Sequence, residues 1–145
     1  ECGTPLHVGD TYSHEAALDV VRRLSFDTGH YSRCWEISTN HLPSQALRYL
    51  EHLADAATPT GLLFEAFCIP GSHAVGVKLI ATPWTDTNLG FIDGGSTAAL
   101  HQVQREAGVA QPLIDVMHLA ALADVRILIF DPDALVLEGL PTFDD

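Results

Sequence analysis

Apolar residues recur along this chain with two different periods, one typical of helices and one typical of strands. Helical spacing over 14–24 follows Ser13, a suitable N-cap, and a clearer amphipathic stretch follows Pro43 and runs to position 57. Two further helices are predicted to begin at Ser96 and at Pro112. The first of these two is expected to turn three residues towards the core: Leu100, Val103 and Ala107.

Four runs of β-branched, aromatic and other apolar residues predict strands over 34–38, 62–68, 74–80 and 125–130. The second and third are separated by a Pro-Gly turn and should form a hairpin. In the last run only Arg126 is polar, which predicts a central strand covered on both faces.

The resulting order, β-α-β-β-α-α-β with a leading helix, predicts an α/β fold. We expect a mixed sheet of about four to five strands with helices packed on it. A single domain over residues 1–145 is predicted, with an irregular arm at 1–12 and a long loop at 82–95.

Composition favours a soluble globular protein. Apolar residues make up 47% of the chain and charged residues 18%, and no apolar run reaches the ~20 residues of a membrane span. The first residues lack the pattern of a signal peptide, and three cysteines do not make a disulfide framework. These features predict a cytoplasmic protein that does not bind a membrane.

The charge is strongly acidic, with a formal net value of −12. Residues 111–145 carry seven carboxylates and a single arginine, Arg126. Such a field repels nucleic acid and attracts basic surfaces, so direct DNA or RNA binding is not expected and a basic protein partner is. The alternative is that the acidity serves solubility alone.

Two polar segments follow predicted strands and could meet at one edge of the sheet. Ser38 and His41 follow the first strand, while Asp131 and Asp133 follow the last. If those strands are parallel neighbours, a hydroxyl, an imidazole and carboxylates share one rim, as nucleophilic catalysis requires. A second candidate nucleophile is the Cys34 thiol, which could converge with His41 and Asp131. The alternative is that these are ordinary capping and turn residues.

Other candidate sites are less specific. His30 with Cys34, and Cys68 with His73, lack the spacing of known zinc pairs, so neither a metal nor another cofactor is predicted. The segment 93–97 precedes a helix but lacks the lysine of a phosphate-binding loop.

Two segments of the chain stand out together: Ile37-Ser38-Thr39-Asn40-His41-Leu42-Pro43 with the Leu-rich helix after it, and the closing Phe130-Asp131-Pro132-Asp133 with Gly139-Leu140-Pro141 and Phe143-Asp144. Together they resemble a small uncharacterised domain family of bacterial plasmids and integrative conjugative elements. The resemblance covers the two ends of residues 34–145. It implies an accessory protein of mobile DNA and carries over no catalytic residue.

Three functions remain open at this point. The first is a non-enzymatic interaction module that binds a basic partner protein, with an anti-defence role as its sharpest form. Its candidate contact residues are Trp84, Phe91, Asp124, Asp131, Asp133 and Glu138. The second is a small hydrolase or transferase that uses the Ser38, His41 and Asp131 or Asp133 rim. The third is a small-molecule sensor built on the two loop aromatics, and the oligomeric state is left open.

Overall fold

A computed structural model describes residues 13–23 and 31–144 of the chain. Its contacts group residues 1–31 and residues 32–145 separately, so the single-domain organisation over 1–145 stays a prediction. The arm expected at 1–12 lies outside the described residues.

Residues 32–144 form a mixed four-stranded sheet. Its strands are β1 (Arg33–Ser38), β2 (Phe64–Cys68), β3 (Val75–Leu79) and β4 (Val125–Asp131), in the order β1-β4-β3-β2. β1 pairs with β4 in parallel, while β3 pairs with β4 and with β2 in antiparallel orientation. The predicted α/β class, hairpin and mixed sheet are confirmed.

Five α-helices are described: α1 (His14–Arg23), α2 (Ser44–Ala56), α3 (Asp86–Leu89), α4 (Thr97–Glu106) and α5 (Gln111–Leu122). The two predicted serine caps are confirmed, since Ser13 Oγ accepts from the Ala16 N–H and Ser96 Oγ accepts from the Ala99 N–H. Side-chain caps of this kind satisfy backbone donors that the first helical turn leaves open. The short helix α3 lies within the segment predicted as a long loop.

The core lies between α2, α5 and one face of the sheet. Alternate residues of the strands, among them Ile37, Val77, Leu128 and Phe130, are buried there. The inward stripe predicted for the helix at Pro112 is confirmed, because its members Leu113, Val116, Met117 and Ala120 are all buried. Burial of this apolar surface is the main stabilising contribution to the domain.

The opposite face of the sheet is less covered than β4 led us to predict. Ile127 and Ile129, on the face away from the core, are only partly buried. On the same face the ring of Phe67 lies over Gly76, in the space that a Cβ atom would occupy. Within residues 32–144, full burial is therefore restricted largely to the helix-covered face.

The inward face of α4 differs from the prediction. Val103 is 48% exposed, whereas the polar residue Gln104 is fully buried. Gln104 Nε2 donates to the carbonyl oxygen of Leu62, and Gln104 Oε1 pairs with His118. These two hydrogen bonds offset the cost of removing the amide from water, which residue polarity alone does not reveal.

Candidate functional site

Two parallel strands bring the predicted rim residues to one edge of the sheet. Ser38 and Asp131 are register partners at the carboxyl ends of β1 and β4. His41 follows Ser38 in a 3₁₀ turn, and Asp133 follows Asp131 in the turn after β4. Open α/β sheets place their ligand crevices at such an edge.

His41 binds the backbone of the C-terminal segment, which we define as residues 134–144. Its Nδ1 lies 2.8 Å from the carbonyl oxygen of Pro141, and its Nε2 lies 3.0 Å from the backbone nitrogen of Leu137. A carbonyl only accepts and an amide N–H only donates, so Nδ1 carries the proton and Nε2 accepts. The ring is 3% exposed. Neither nitrogen is left to accept a proton from Ser38.

The other rim residues close local turns. Ser38 Oγ accepts from the backbone N–H of Asn40 at 3.0 Å, and Asp131 Oδ1 accepts from the backbone N–H of Asp133 at 2.9 Å. These are the side-chain-to-backbone bonds typical of serine and aspartate in turns. The geometry thus favours the interpretation of Ser38, His41, Asp131 and Asp133 as capping and turn residues.

Cys34 is a poor nucleophile in this environment. Desolvation, with a smaller contribution from the Glu36 carboxylate on the same strand, raises the pKa of the Cys34 thiol. A raised pKa lowers the fraction of thiolate, which is the reactive form. Cys34 also lies near the amino end of β1, opposite Ile127, so it does not belong to the edge that holds Ser38 and Asp131.

The two hydrogen bonds of His41, which we call the clamp, hold the C-terminal segment beside α5, and a cleft lies between the segment and this helix. A further hydrogen bond, from the Phe143 N–H to the Asn40 carbonyl oxygen at 2.9 Å, fixes the end of the segment. The cleft has a volume of about 140 Å³. We call it the terminal cleft; its lining residues are His41, Pro112, Asp115, Val116, Leu119, Leu140, Pro141 and Phe143.

The terminal cleft is mainly apolar. On the α5 side it is lined by Val116, which is 7% exposed, and by Leu119, which is 49% exposed. Asp115 is its one carboxylate, and both nitrogens of His41 are already occupied. Such a surface fits an apolar side chain better than a polar substrate that has to be activated.

Most of the carboxylates singled out in the sequence are free of local neutralisation. Asp124 is the exception, because it accepts a hydrogen bond from Thr82 and lies 3.7 Å from the Arg126 guanidinium. Across the part of the chain that is described, no ion pair joins a cation to Asp131, Asp133, Glu138 or Asp144. The carboxyl end of β4 and the segment after it therefore carry uncompensated negative charge.

The two aromatics of the predicted loop behave differently. Trp84 is 1% exposed, and its indole N–H donates to the carbonyl oxygen of Ile80 at 2.8 Å. Phe91 is 84% exposed. Trp84 is a core residue and not a contact residue, whereas Phe91 is accessible to a partner.

A polar cluster between α4 and α5 was not found from the sequence. The rings of His101 and His118 stack with centroids 3.7 Å apart, and Trp84 contacts His118 edge-on at 4.7 Å. Because Gln104 Nε2 donates to Leu62, its Oε1 is the acceptor for the His118 Nε2–H at 2.9 Å. Burial, and secondarily the proximity of His101, lower the pKa of His118 to about 4, so it is neutral at pH 7.

No potential metal centre is present among the described residues, since they hold no group of three or more His, Cys, Asp or Glu side chains suited to an ion. His30 of one candidate pair lies outside the described residues, and Cys68 and His73 of the other are both exposed. No helix in the described part of the chain is long and apolar enough to cross a membrane.

Comparisons with known proteins agree with the resemblance noted in the sequence in one respect, that the domain belongs to a family of unknown function. No curated protein and no solved structure matches the chain. A family model described as the C-terminal domain of a family of unknown function, DUF5983, matches residues 34–145. This match spans β1 to the end of the C-terminal segment, including the clamp and the terminal cleft, and the chain therefore belongs to the DUF5983 family.

Proposed function

We propose that this protein is a non-enzymatic interaction module that binds a basic surface of a partner protein. The observation that carries the proposal is the set of uncompensated carboxylates at the carboxyl end of β4 and on the clamped C-terminal segment. Charges on a fixed segment lose little conformational entropy on binding, so they serve recognition better than charges on a loose tail. Acidic surfaces of this kind accelerate and orient association with basic partners.

The proposed biological setting is that of an accessory protein of a mobile genetic element. It is supported by the resemblance of the Ile37–Pro43 and Phe130–Asp133 segments to a domain of plasmids and conjugative elements. An anti-defence role is the special case in which the basic surface is the DNA-binding site of a host protein. Competition between this protein and DNA for that site would distinguish the special case from other basic partners.

The alternative of a hydrolase or transferase at the rim receives no support from the geometry. A general base needs a free imidazole nitrogen within reach of the nucleophile, and His41 has none. The sensor alternative relied partly on Trp84, which is packed in the core. We therefore favour the interaction module.

A test compares two variants that have equal net charge. In the first, four carboxylates of the proposed surface are neutralised: Asp131→Asn, Asp133→Asn, Glu138→Gln and Asp144→Asn. In the second, four exposed carboxylates elsewhere are neutralised: Glu51→Gln, Asp55→Asn, Asp93→Asn and Glu106→Gln. Asparagine at 131 keeps the oxygen that accepts from the backbone of residue 133, so the turn is preserved.

The probe is a fluorescein-labelled lysine-rich peptide, and the measurement is its fluorescence anisotropy. We expect the first variant to lose affinity and the second to retain it, because only the first removes charge from the proposed surface. Raising the salt from about 0.1 to about 1 M, which shortens the screening length from about 10 to about 3 Å, should weaken binding. Equal affinities of the two variants would refute a localised acidic site.

A further inference from the structure

The terminal cleft is an apolar site with no role in the proposed function, which depends on carboxylates alone. Its volume of about 140 Å³ is comparable to apolar cavities of roughly 150 Å³ that accept benzene. Val116 is nearly buried on one wall and Phe143 is half-buried on the other. The hydrogen bonds to His41 and to Asn40 fix the position of the segment that forms this second wall.

The apolar surface continues along α5 beyond the cleft. Leu119 is 49% exposed and Leu122 is 61% exposed. Residues three and four apart lie on one side of a helix, so Asp115, Leu119 and Leu122 form a row. The row is about 10 Å long, or roughly two helical turns. Two exposed leucines in one row beside an apolar cleft form a surface suited to the apolar side of another helix.

Charge indicates what kind of helix fits this surface. Asp115 lines the cleft, Asp144 follows the lining residue Phe143, and the whole chain has a formal charge of −12. A second copy of the chain would bring an equal negative charge to the contact, which opposes self-association. A helix that carries Lys or Arg beside its apolar side chains would be attracted instead.

We infer that the terminal cleft and the adjoining leucines of α5 bind a cationic amphipathic helix of the partner protein, with one apolar side chain of that helix in the cleft. This inference rests on the proposed function and adds the form of the partner segment. The carboxylates then guide the approach of the partner, while the apolar contact supplies much of the affinity.

The test uses two labelled peptides of about 14 residues, roughly four helical turns, with identical composition. One places its leucines on one side of a helix and its lysines on the other; the second is scrambled so that no apolar side forms. The protein variants are Leu119→Gln in the site and, as a matched control, Val103→Gln on α4. The two side chains are exposed to nearly the same degree, 49% and 48%.

We expect wild-type protein to bind the amphipathic peptide more tightly than the scrambled one. Leu119→Gln should lower the affinity for the amphipathic peptide by about fivefold to tenfold. This factor corresponds to losing the burial of about half a leucine side chain. Val103→Gln should leave the affinity within about twofold, as for an exposed site outside the contact.

Each contrary result has a distinct meaning. If both peptides bind equally and Leu119→Gln has no effect, while neutralising Asp131, Asp133, Glu138 and Asp144 weakens both, the helix inference fails and the proposed function stands. If neither peptide binds, both fail. If sedimentation shows a dimer that Leu119→Gln abolishes, the surface is a contact between copies and the inference is overturned.

Discussion

Replacing His41 by phenylalanine tests whether the imidazole holds the C-terminal segment. The change keeps a ring of similar size, so little of its effect is due to a cavity. It removes the bond to the Pro141 carbonyl oxygen and the bond from the Leu137 N–H. At about 0.5–1.5 kcal/mol for each bond, the free energy of unfolding should fall by about 1–3 kcal/mol.

The exposure of the two partners refines this magnitude. Pro141 is exposed, so water can solvate its carbonyl group after the substitution, whereas Leu137 is half-buried and its N–H is left with poorer solvation. We therefore expect a loss of about 2 kcal/mol, a sizeable part of the roughly 5–15 kcal/mol typical of a domain. His52→Phe on the exposed side of α2 is the control and should change the stability by about 0.5 kcal/mol or less.

The assay is urea denaturation followed by circular dichroism, combined with amide hydrogen exchange. In the His41→Phe protein the amide of Leu137 should exchange much faster. The amide of Leu128, in the centre of β4, should change only as far as global stability does. If the free energy of unfolding stays within about 0.5 kcal/mol of wild type and the Leu137 amide keeps its protection against exchange, His41 does not hold the C-terminal segment.

Three further predictions concern the polar contacts of the core. First, the pKa of His118 is lowered from 6.5 to about 4 in the folded protein. Between these two pH values the unfolded chain binds a proton at His118 and the folded chain does not. The contribution of His118 to the free energy of unfolding should therefore be complete above pH 6.5 and should fall as the pH approaches 4. Because His118 is only half-buried, the loss of stability should be about 1–2 kcal/mol, which is less than the pKa shift alone would give. Urea denaturation at pH 7 and at pH 4.5 measures this loss, and it should be smaller in the His118→Gln variant than in wild type. Second, Gln104→Met should cost about 2–3 kcal/mol, because it leaves the half-buried His118 N–H and Leu62 carbonyl without their partner. Gln102→Met on the exposed side of α4 should cost under about 1 kcal/mol, and equal losses in the two variants would contradict the role of the buried Gln104 amide. Third, Thr82→Val removes the 2.7 Å hydrogen bond to a carboxylate oxygen and should lower the free energy of unfolding by about 1 kcal/mol, so an unchanged denaturation midpoint would argue against that bond.

Local patterns were sufficient to predict the four strands and the longer helices, but not the short helix α3. The caps at Ser13 and Ser96 and the central strand predicted over 125–130 follow from residue spacing, because these features depend on neighbours within a few positions. The placement of Ser38 opposite Asp131 was predicted only on the condition that the first and last strands are parallel neighbours, and the pairing of β1 with β4 meets that condition.

Contacts between distant residues were not predictable in the same way. The bond between His41 and Pro141 joins positions 100 residues apart, and nothing near either residue signals the other. Gln104 is polar within an amphipathic helix, so periodicity alone assigns it to solvent; its burial depends on the Leu62 carbonyl and on His118. The terminal cleft escaped prediction for the same reason, since its walls come from α5 and from the C-terminal segment.

The attachment of the C-terminal segment has a thermodynamic consequence for any ligand of the cleft. One wall belongs to a regular helix, but the other is tied to the domain by two bonds to His41 and one to Asn40, not by strand pairing. Such a wall can detach in a local opening that leaves the sheet intact. The apparent dissociation constant then equals the intrinsic one divided by the fraction of molecules in the closed state. Substitutions that never touch the ligand can thus tune its affinity by shifting that pre-existing equilibrium.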